Sequence, residues 1–276
     1  MKYSICSVIY GSCGSFLPAY TLEDTMRRLV RIGFDAVEIV CGSPHAWPFY
    51  MGPEKRAQVN EWKKKYGIEV SSVMAQPGGG PATNAASSNK AERAFAIRYI
   101  KECIDMASLW GCKNLAYVAG WYLFGTKKQE AWNNTLDTLK QIASYALDKG
   151  VNICIEPTST DSNVIDCPDD GLLLMEQSGF SNVGLMFDMA HAFYRNEDPV
   201  DYIYTIGKNL KHIHLTDYDR RPPGTNGADF YPVMQALKDI NYQGYVTMEI
   251  GFNRTTGADS VSRQSIEFLK SIEAQL

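Results

Sequence analysis

The sequence predicts an α/β fold, a closed (β/α)8 TIM barrel, on three observations. Eight short apolar runs alternate with eight longer amphipathic segments, the pattern of parallel strands joined by helical crossovers. A glycine follows five of the periodic segments, at Gly33, Gly67, Gly111, Gly150 and Gly179, where helices commonly end in a left-handed residue. The open, doubly wound alternative lacks its phosphate-binding turn, because Gly11-Ser12-Cys13-Gly14 does not match G-x-G-x-x-G. Closure also leaves no sheet edge unpaired.

The strands are expected at residues 4–8, 36–40, 69–74, 114–118, 152–155, 183–187, 210–215 and 245–248. The helices are expected at 21–32, 53–66, 90–110, 127–149, 169–178, 199–206, 230–240 and 260–274. In the second strand Glu38 alternates inward, as a buried structural carboxylate paired with a neighbour. The third is followed by residues 76–89, rich in Gly, Pro, Ala and Ser, which suit an active-site loop better than a domain boundary. In the seventh, His212 and His214 share one face and Ile213 and Leu215 the other, and Pro222-Pro223-Gly224 bars continuation. No linker or charge run divides the chain, so a single domain over residues 1–276 is expected.

Composition narrows the function. A hydrophobic fraction of 45% with 21% charged residues suits a soluble protein with a full core. A net charge of −4 offers no basic field for a polyanion, which argues against nucleic acid and favours a small-molecule partner. The seven cysteines contain no C-x-x-C pair, the usage of a reduced, cytoplasmic chain. The N-terminal run lacks a signal peptide's long apolar region, and no segment approaches the ~20 apolar residues of a membrane span.

Functional groups of such a barrel project from the carboxyl ends of its strands. With Ile153 and Ile155, Leu185 and Phe187, Ile213 and Leu215, and Val246 and Met248 facing the helices, Glu156, Asp188, His214 and Glu249 face inward. These four are 32, 26 and 35 residues apart, each close to one β/α unit, so they converge at the same end of consecutive strands. Three acids held together in a dry site would repel, and a divalent cation resolves this. Oxygen-rich donors with one imidazole favour Mn2+, with Mg2+, Co2+ and Zn2+ as alternatives.

Ile155-Glu156-Pro157, Asp188-x-x-His191, His214 and Arg220 ahead of Pro223-Gly224, and Met248-Glu249 together resemble the sugar isomerase/epimerase superfamily of xylose isomerase-like barrels, along essentially the whole chain. Within it the chain is most similar to the ketose 3-epimerases that act on tagatose and psicose, and especially to the fructoselysine 3-epimerase group. Gly42-Ser43-Pro44-His45-Ala46 and Ser162-Asn163-Val164 carry the latter likeness. The resemblance implies that Glu156, Asp188, His214 and Glu249 bind the metal, while His191 and Arg220 hold substrate oxygens near the carbonyl. It also implies that the ion chelates O2 and O3 of a ketose and stabilises a cis-enediolate. Glu156 and Glu249 would then exchange the C3 proton as acid and base on opposite faces, their individual roles left open.

Many members of the group carry a glutamate six residues after the first ligand. Here Ser162 stands in its place, with Asp161 beside it as a substitute or as a turn cap. His45 is either a contact to the distal substrate or a surface-loop histidine, and His212, one layer below His214, is expected to be a hydrogen-bonded interior residue or a support for the ligands rather than a ligand itself. Tyr10, Trp47, Phe49, Trp121 and Phe252 follow strands and either wall the sugar site or pack in the core. The family likeness further implies a homo-oligomer, a dimer or tetramer. The competing activity is a dehydratase or lyase on a 3-keto sugar or inosose, in which the same enolate expels a β-leaving group. A DNA-repair endonuclease of this superfamily needs more imidazoles than the four present, and a non-catalytic sugar-binding barrel needs no pair of glutamates.

Overall fold

The computed structural model describes residues 1–11, 19–75, 84–251 and 257–276. Eight parallel strands form a closed barrel in sequence order, with β8 returning to pair with β1. They are β1 (Lys2–Cys6), β2 (Ala36–Val40), β3 (Glu69–Met74), β4 (Asn114–Val118), β5 (Asn152–Glu156), β6 (Val183–Asp188), β7 (Leu210–Leu215) and β8 (Tyr245–Met248). The helices are α1 (Val8–Gly11), α2 (Leu22–Ile32), α3 (Pro53–Tyr66), α4 (Lys90–Trp110), α5 (Lys128–Asp148), α6 (Pro168–Ser178), α7 (Met189–Tyr194), α8 (Pro199–Ile206), α9 (Tyr231–Asp239) and α10 (Ala258–Glu273). Among the described residues, no helix is long and apolar enough to cross a membrane.

Alternation along each strand builds two cores. Outward residues such as Ile153, Ile155, Leu185, Phe187, Ile213, Leu215, Val246 and Met248 join the continuous apolar layer beneath the helices. Each such side chain contributes about 1.5–3 kcal/mol on leaving water. Inward residues, one from each of β1 to β6, make a smaller plug of Cys6, Val40, Met74, Ala116, Cys154 and Met186. This plug shares the barrel interior with Glu38 and His212, since Cys6 lies opposite Glu38 and Met186 opposite His212. Register then sets which polar groups meet: Asp188 lies opposite His214, and His214 opposite Thr247.

One expected element changes and two short helices are added. The first strand is Lys2–Cys6 and not residues 4–8, because the amides of Tyr10 and Gly11 each bond the Ser7 carbonyl at 3.0 Å and turn Val8–Gly11 into a short helix. A helix not expected from the periodicity, α7, follows β6 directly, its first turn capped by Asp188, which accepts from the Ala190 amide at 2.8 Å. The other helix bounds agree within one or two residues, the usual scatter of frayed ends. At Gly120 (φ 93°) glycine is required by space as well as conformation, since a Cβ would lie 2.6 Å from Asn84 Oδ1 and 2.8 Å from the Ala86 amide. Cys6, Cys41, Cys103, Cys112 and Cys154 are buried free thiols and Cys167 is half-buried. Cys13, Phe252 and residues 76–83 of the expected active-site loop lie outside the described residues.

Candidate active site and metal centre

Glu156 and Asp188 end β5 and β6, His214 is the penultimate residue of β7, and Glu249 directly follows β8. The structure brings them together as two overlapping triads that share Asp188. Asp188, His214 and Glu249 offer donor atoms within 4.8 Å of one another, and so do Glu156, Asp188 and His191. His214 Nδ1 lies 3.3 Å from Glu249 Oε2 and 3.7 Å from Asp188 Oδ2. His191 Nε2 lies 3.5 Å from Glu156 Oε1 and 3.6 Å from Asp188 Oδ2. Thus α7, the helix that the periodicity did not show, is what carries His191 back over the strand ends.

The site is dry. Asp188 and His214 have no exposed surface, Glu156 and His191 show 3% each, and the Glu249 side chain 13%. Two of its atoms, Asp188 Oδ2 and His214 Nδ1, are buried with no hydrogen-bond partner. Buried polar atoms are ordinarily satisfied, so an orphaned oxygen and an orphaned nitrogen facing the same carboxylate fit a cation-binding cage. Arg220 supplies positive charge here. Its Nη1 lies 2.8 Å from Asp188 Oδ2, outside hydrogen-bond alignment, and pairs with Glu249, while its Nη2 is 3.3 Å from His191 Nε2.

Burial and neighbouring charge split the proton affinities of the acids. Burial, reinforced by Asp188, pushes the Glu156 carboxyl up despite its contact with His191. Burial also opposes ionisation of Glu249 and Asp188, but Arg220 and the histidines outweigh it and hold both below the usual carboxylate range. His214 is buried, yet the charges of Glu38 and Glu249 hold its pKa well above the ordinary histidine value. Two glutamates set apart in this way match the requirement for an acid and a base at one centre.

Beneath the cage, Glu38 has both oxygens engaged, Oε1 by His214 Nε2 at 2.8 Å and Oε2 by His212 Nε2 at 2.6 Å. The expected pairing of Glu38 is therefore observed, and His212 is a hydrogen-bonded interior residue. Above the cage, Asp217 organises the loop that presents Arg220. Fully buried, it accepts from the amides of Tyr218 (2.8 Å), Thr225 (2.9 Å), Asn226 (2.8 Å) and Ala228 (3.0 Å). The sequence reading missed this residue, although an aspartate after a strand and before Pro-Pro-Gly is a loop-capping signal. Asp219 (φ 58°) and Arg220 (φ 56°) are consecutive left-handed residues, a strained conformation that aims the guanidinium inward.

Other expected contacts lie elsewhere. The Asp161 carboxylate accepts from the hydroxyls of Thr160 (3.1 Å) and Thr158 (3.4 Å). Ser162 donates to the Gly120 carbonyl at 2.6 Å and joins the β4 and β5 loops. His45 is buried with Nε2 3.0 Å from the Tyr20 carbonyl, at a cleft of about 540 Å³ beside α2 and α3. None of the clustered acids lines that cleft. Tyr10 hydrogen-bonds Asp259 and Ser262 on α10 and Trp47 stacks on Tyr99, so these two pack with the core, while Phe49 lies against Phe95 and is exposed. Trp121 is half-buried with its backbone clamped by Asn84. A cavity of about 250 Å³ opens beside the cage, walled by Thr160, His191, Phe193, Tyr194, Tyr218 and Arg220.

A family model for the xylose isomerase-like TIM barrel matches residues 26–272. The chain belongs to this family. Among curated relatives, this xylose isomerase-like barrel is 26% identical over 243 residues to D-psicose 3-epimerase of Agrobacterium fabrum, covering 85% of this chain and 81% of the relative. It is 23% identical over 261 residues to fructoselysine 3-epimerase of Shigella flexneri, covering 91% and 93%. A crystal structure of D-psicose 3-epimerase in the presence of D-fructose superposes with a TM-score of 0.84 at 21% identity, covering 99% of each chain.

Proposed function

We propose that the chain is an isomerase acting on sugars, a metal-dependent ketose 3-epimerase that inverts C3 of a ketohexose or of a substituted ketose. The observation that carries this reading is the convergence of His214 Nδ1 and Asp188 Oδ2, two buried atoms that make no hydrogen bond, with Glu249 on one side and Glu156 on the other. The epimerase relatives support the reaction class.

A divalent cation, preferentially Mn2+, would be held by Glu156, Asp188, His214 and Glu249 and would supply the positive charge that stabilises a negative sugar oxygen. The side chains do the rest. His191 and Arg220 hold the oxygens next to the carbonyl, fixing the plane of C2 and C3. One glutamate takes the C3 proton, the C–H bonding pair moves into C2–C3 and the carbonyl π pair moves onto O2, giving the cis-enediolate. The other glutamate returns a proton to the opposite face, which inverts the centre with no net change of charge. Burial of the cage excludes water that would otherwise screen these charges.

The 250 Å³ cavity beside His191 and Arg220 gives room for a substituent at the carbonyl end of the substrate. His45, whose Nε2 faces the Tyr20 carbonyl, borders a different cleft. A panel of free and C1-substituted ketoses tests the assignment. Turnover limited to compounds that fill the cavity supports it, and equal turnover of ketopentoses and larger relatives counts against it.

A further inference from the structure

Glu38 is an interior carboxylate that the proposed reaction leaves unused. It occupies the centre of β2 in an otherwise apolar run, Ala36-Val37-Glu38-Ile39-Val40, and has no exposed surface. A charge so placed is costly unless both oxygens are satisfied. Both are: Oε1 faces His214 Nε2 at 2.8 Å, while Oε2 faces His212 Nε2 at 2.6 Å and accepts from Ser72 Oγ at 2.7 Å. Ser72 is joined through Ser71 (3.2 Å) to Ser4 (2.7 Å), so a line of hydroxyls braces the carboxylate from the barrel floor.

An ionised carboxylate only accepts, so each imidazole must present N–H at Nε2. An imidazole that ligates a metal is neutral and carries a single N–H, which leaves the lone pair of His214 on Nδ1. That atom is the one facing Asp188 Oδ2 and Glu249 Oε2. We propose that Glu38 is a positioning residue for the metal centre: it holds His214 as the Nε2–H tautomer and so makes Nδ1 the ligating nitrogen. His212 and Ser72 fix the far oxygen and keep the carboxylate plane aligned. The role rests on the metal reading above, and extends it to a residue that touches neither ion nor sugar.

The test needs no turnover. Protein with 15N-labelled histidine is loaded with 113Cd2+, and the nitrogen of His214 that couples to the metal is identified by NMR. Coupling to Nδ1 with the proton retained on Nε2 is the expected result. Coupling to Nε2 overturns the proposal. In a second arm, Cd2+ affinity is measured by equilibrium titration. Glu38→Gln keeps the shape but has a single acceptor oxygen for two N–H groups, and should weaken binding by about 10–100-fold while circular dichroism shows the fold retained. Ser72→Ala touches only the far oxygen and should weaken binding less. Wild-type affinity in Glu38→Gln, or equal losses in both variants, would reduce Glu38 to a structural group. Should Glu38→Gln not fold, the wild-type coupling pattern decides alone. Failure of the wild type to bind any divalent cation rejects the metal reading and this role together, and differs visibly from a bound ion on the wrong nitrogen.

Discussion

Arg220→Ala removes the charge that stands against two of the clustered acids. Its Nη1 lies 2.8 Å from Asp188 Oδ2 and pairs with Glu249, whose side chains are 0% and 13% exposed, while the arginine itself is 32% exposed. Breaking a buried pair costs about 3–5 kcal/mol, and screening of the partly exposed guanidinium lowers this to about 2–3 kcal/mol. For a chain of this size, roughly 2 °C per kcal/mol gives a fall in Tm of roughly 4–6 °C for metal-free protein. A bound divalent cation neutralises the same acids, so saturating Mn2+ should shrink the deficit to under about 1 kcal/mol. Thermal unfolding of wild type and variant, with and without Mn2+, measures all four values. A deficit equal in both conditions, or no deficit without metal, would refute the view that Arg220 and the ion answer the same charge.

Glu249→Gln should lower ketose epimerisation by about 10²–10⁴-fold, and Glu156→Gln likewise, when each is assayed at saturating Mn2+. Retention of C3 proton exchange by either variant removes that residue from the acid/base pair. Metal affinity should rise with pH. Glu156 and His214 both have raised pKa values, so ligation must displace their protons and binding weakens as pH falls through those values. Calorimetric titration in buffers of different ionisation enthalpy should show net proton release, and zero release would contradict the assigned ligands. Asp217→Ala strips four backbone amides of their acceptor. It should destabilise the chain by about 2–4 kcal/mol and raise KM through loss of Arg220 placement, as read by urea unfolding and steady-state kinetics.

Much of this was legible in the sequence because barrels repeat. Period-2 alternation put Glu156, Asp188 and His214 on the inner face, and unit-length spacing set them at the same end of adjacent strands. The same alternation turned Glu38 and His212 inward, but their pairing joins residues 174 positions apart and needs a closed barrel to be seen. Helix α7 has six residues, too few for a 3.6-residue period to register, so its N-cap Asp188 was visible only as a candidate ligand. The approach of Arg220 to the acids depends on left-handed backbone at Asp219 and Arg220, which residue type does not announce. Tyr10 and Trp47 follow strands as site aromatics would. Their partners on α10 and α4 come from distant segments, and packing won.

The central claim is that two glutamates exchange the C3 proton of a metal-held ketose, and the direct measurement is NMR of a ketose incubated in D₂O with Mn2+-loaded enzyme. Deuterium at C3 of both epimers, abolished by chelator and restored by Mn2+, is the expected result. Label at C1 with aldose formed, loss of water from the sugar, or epimerisation without label at C3 would contradict it.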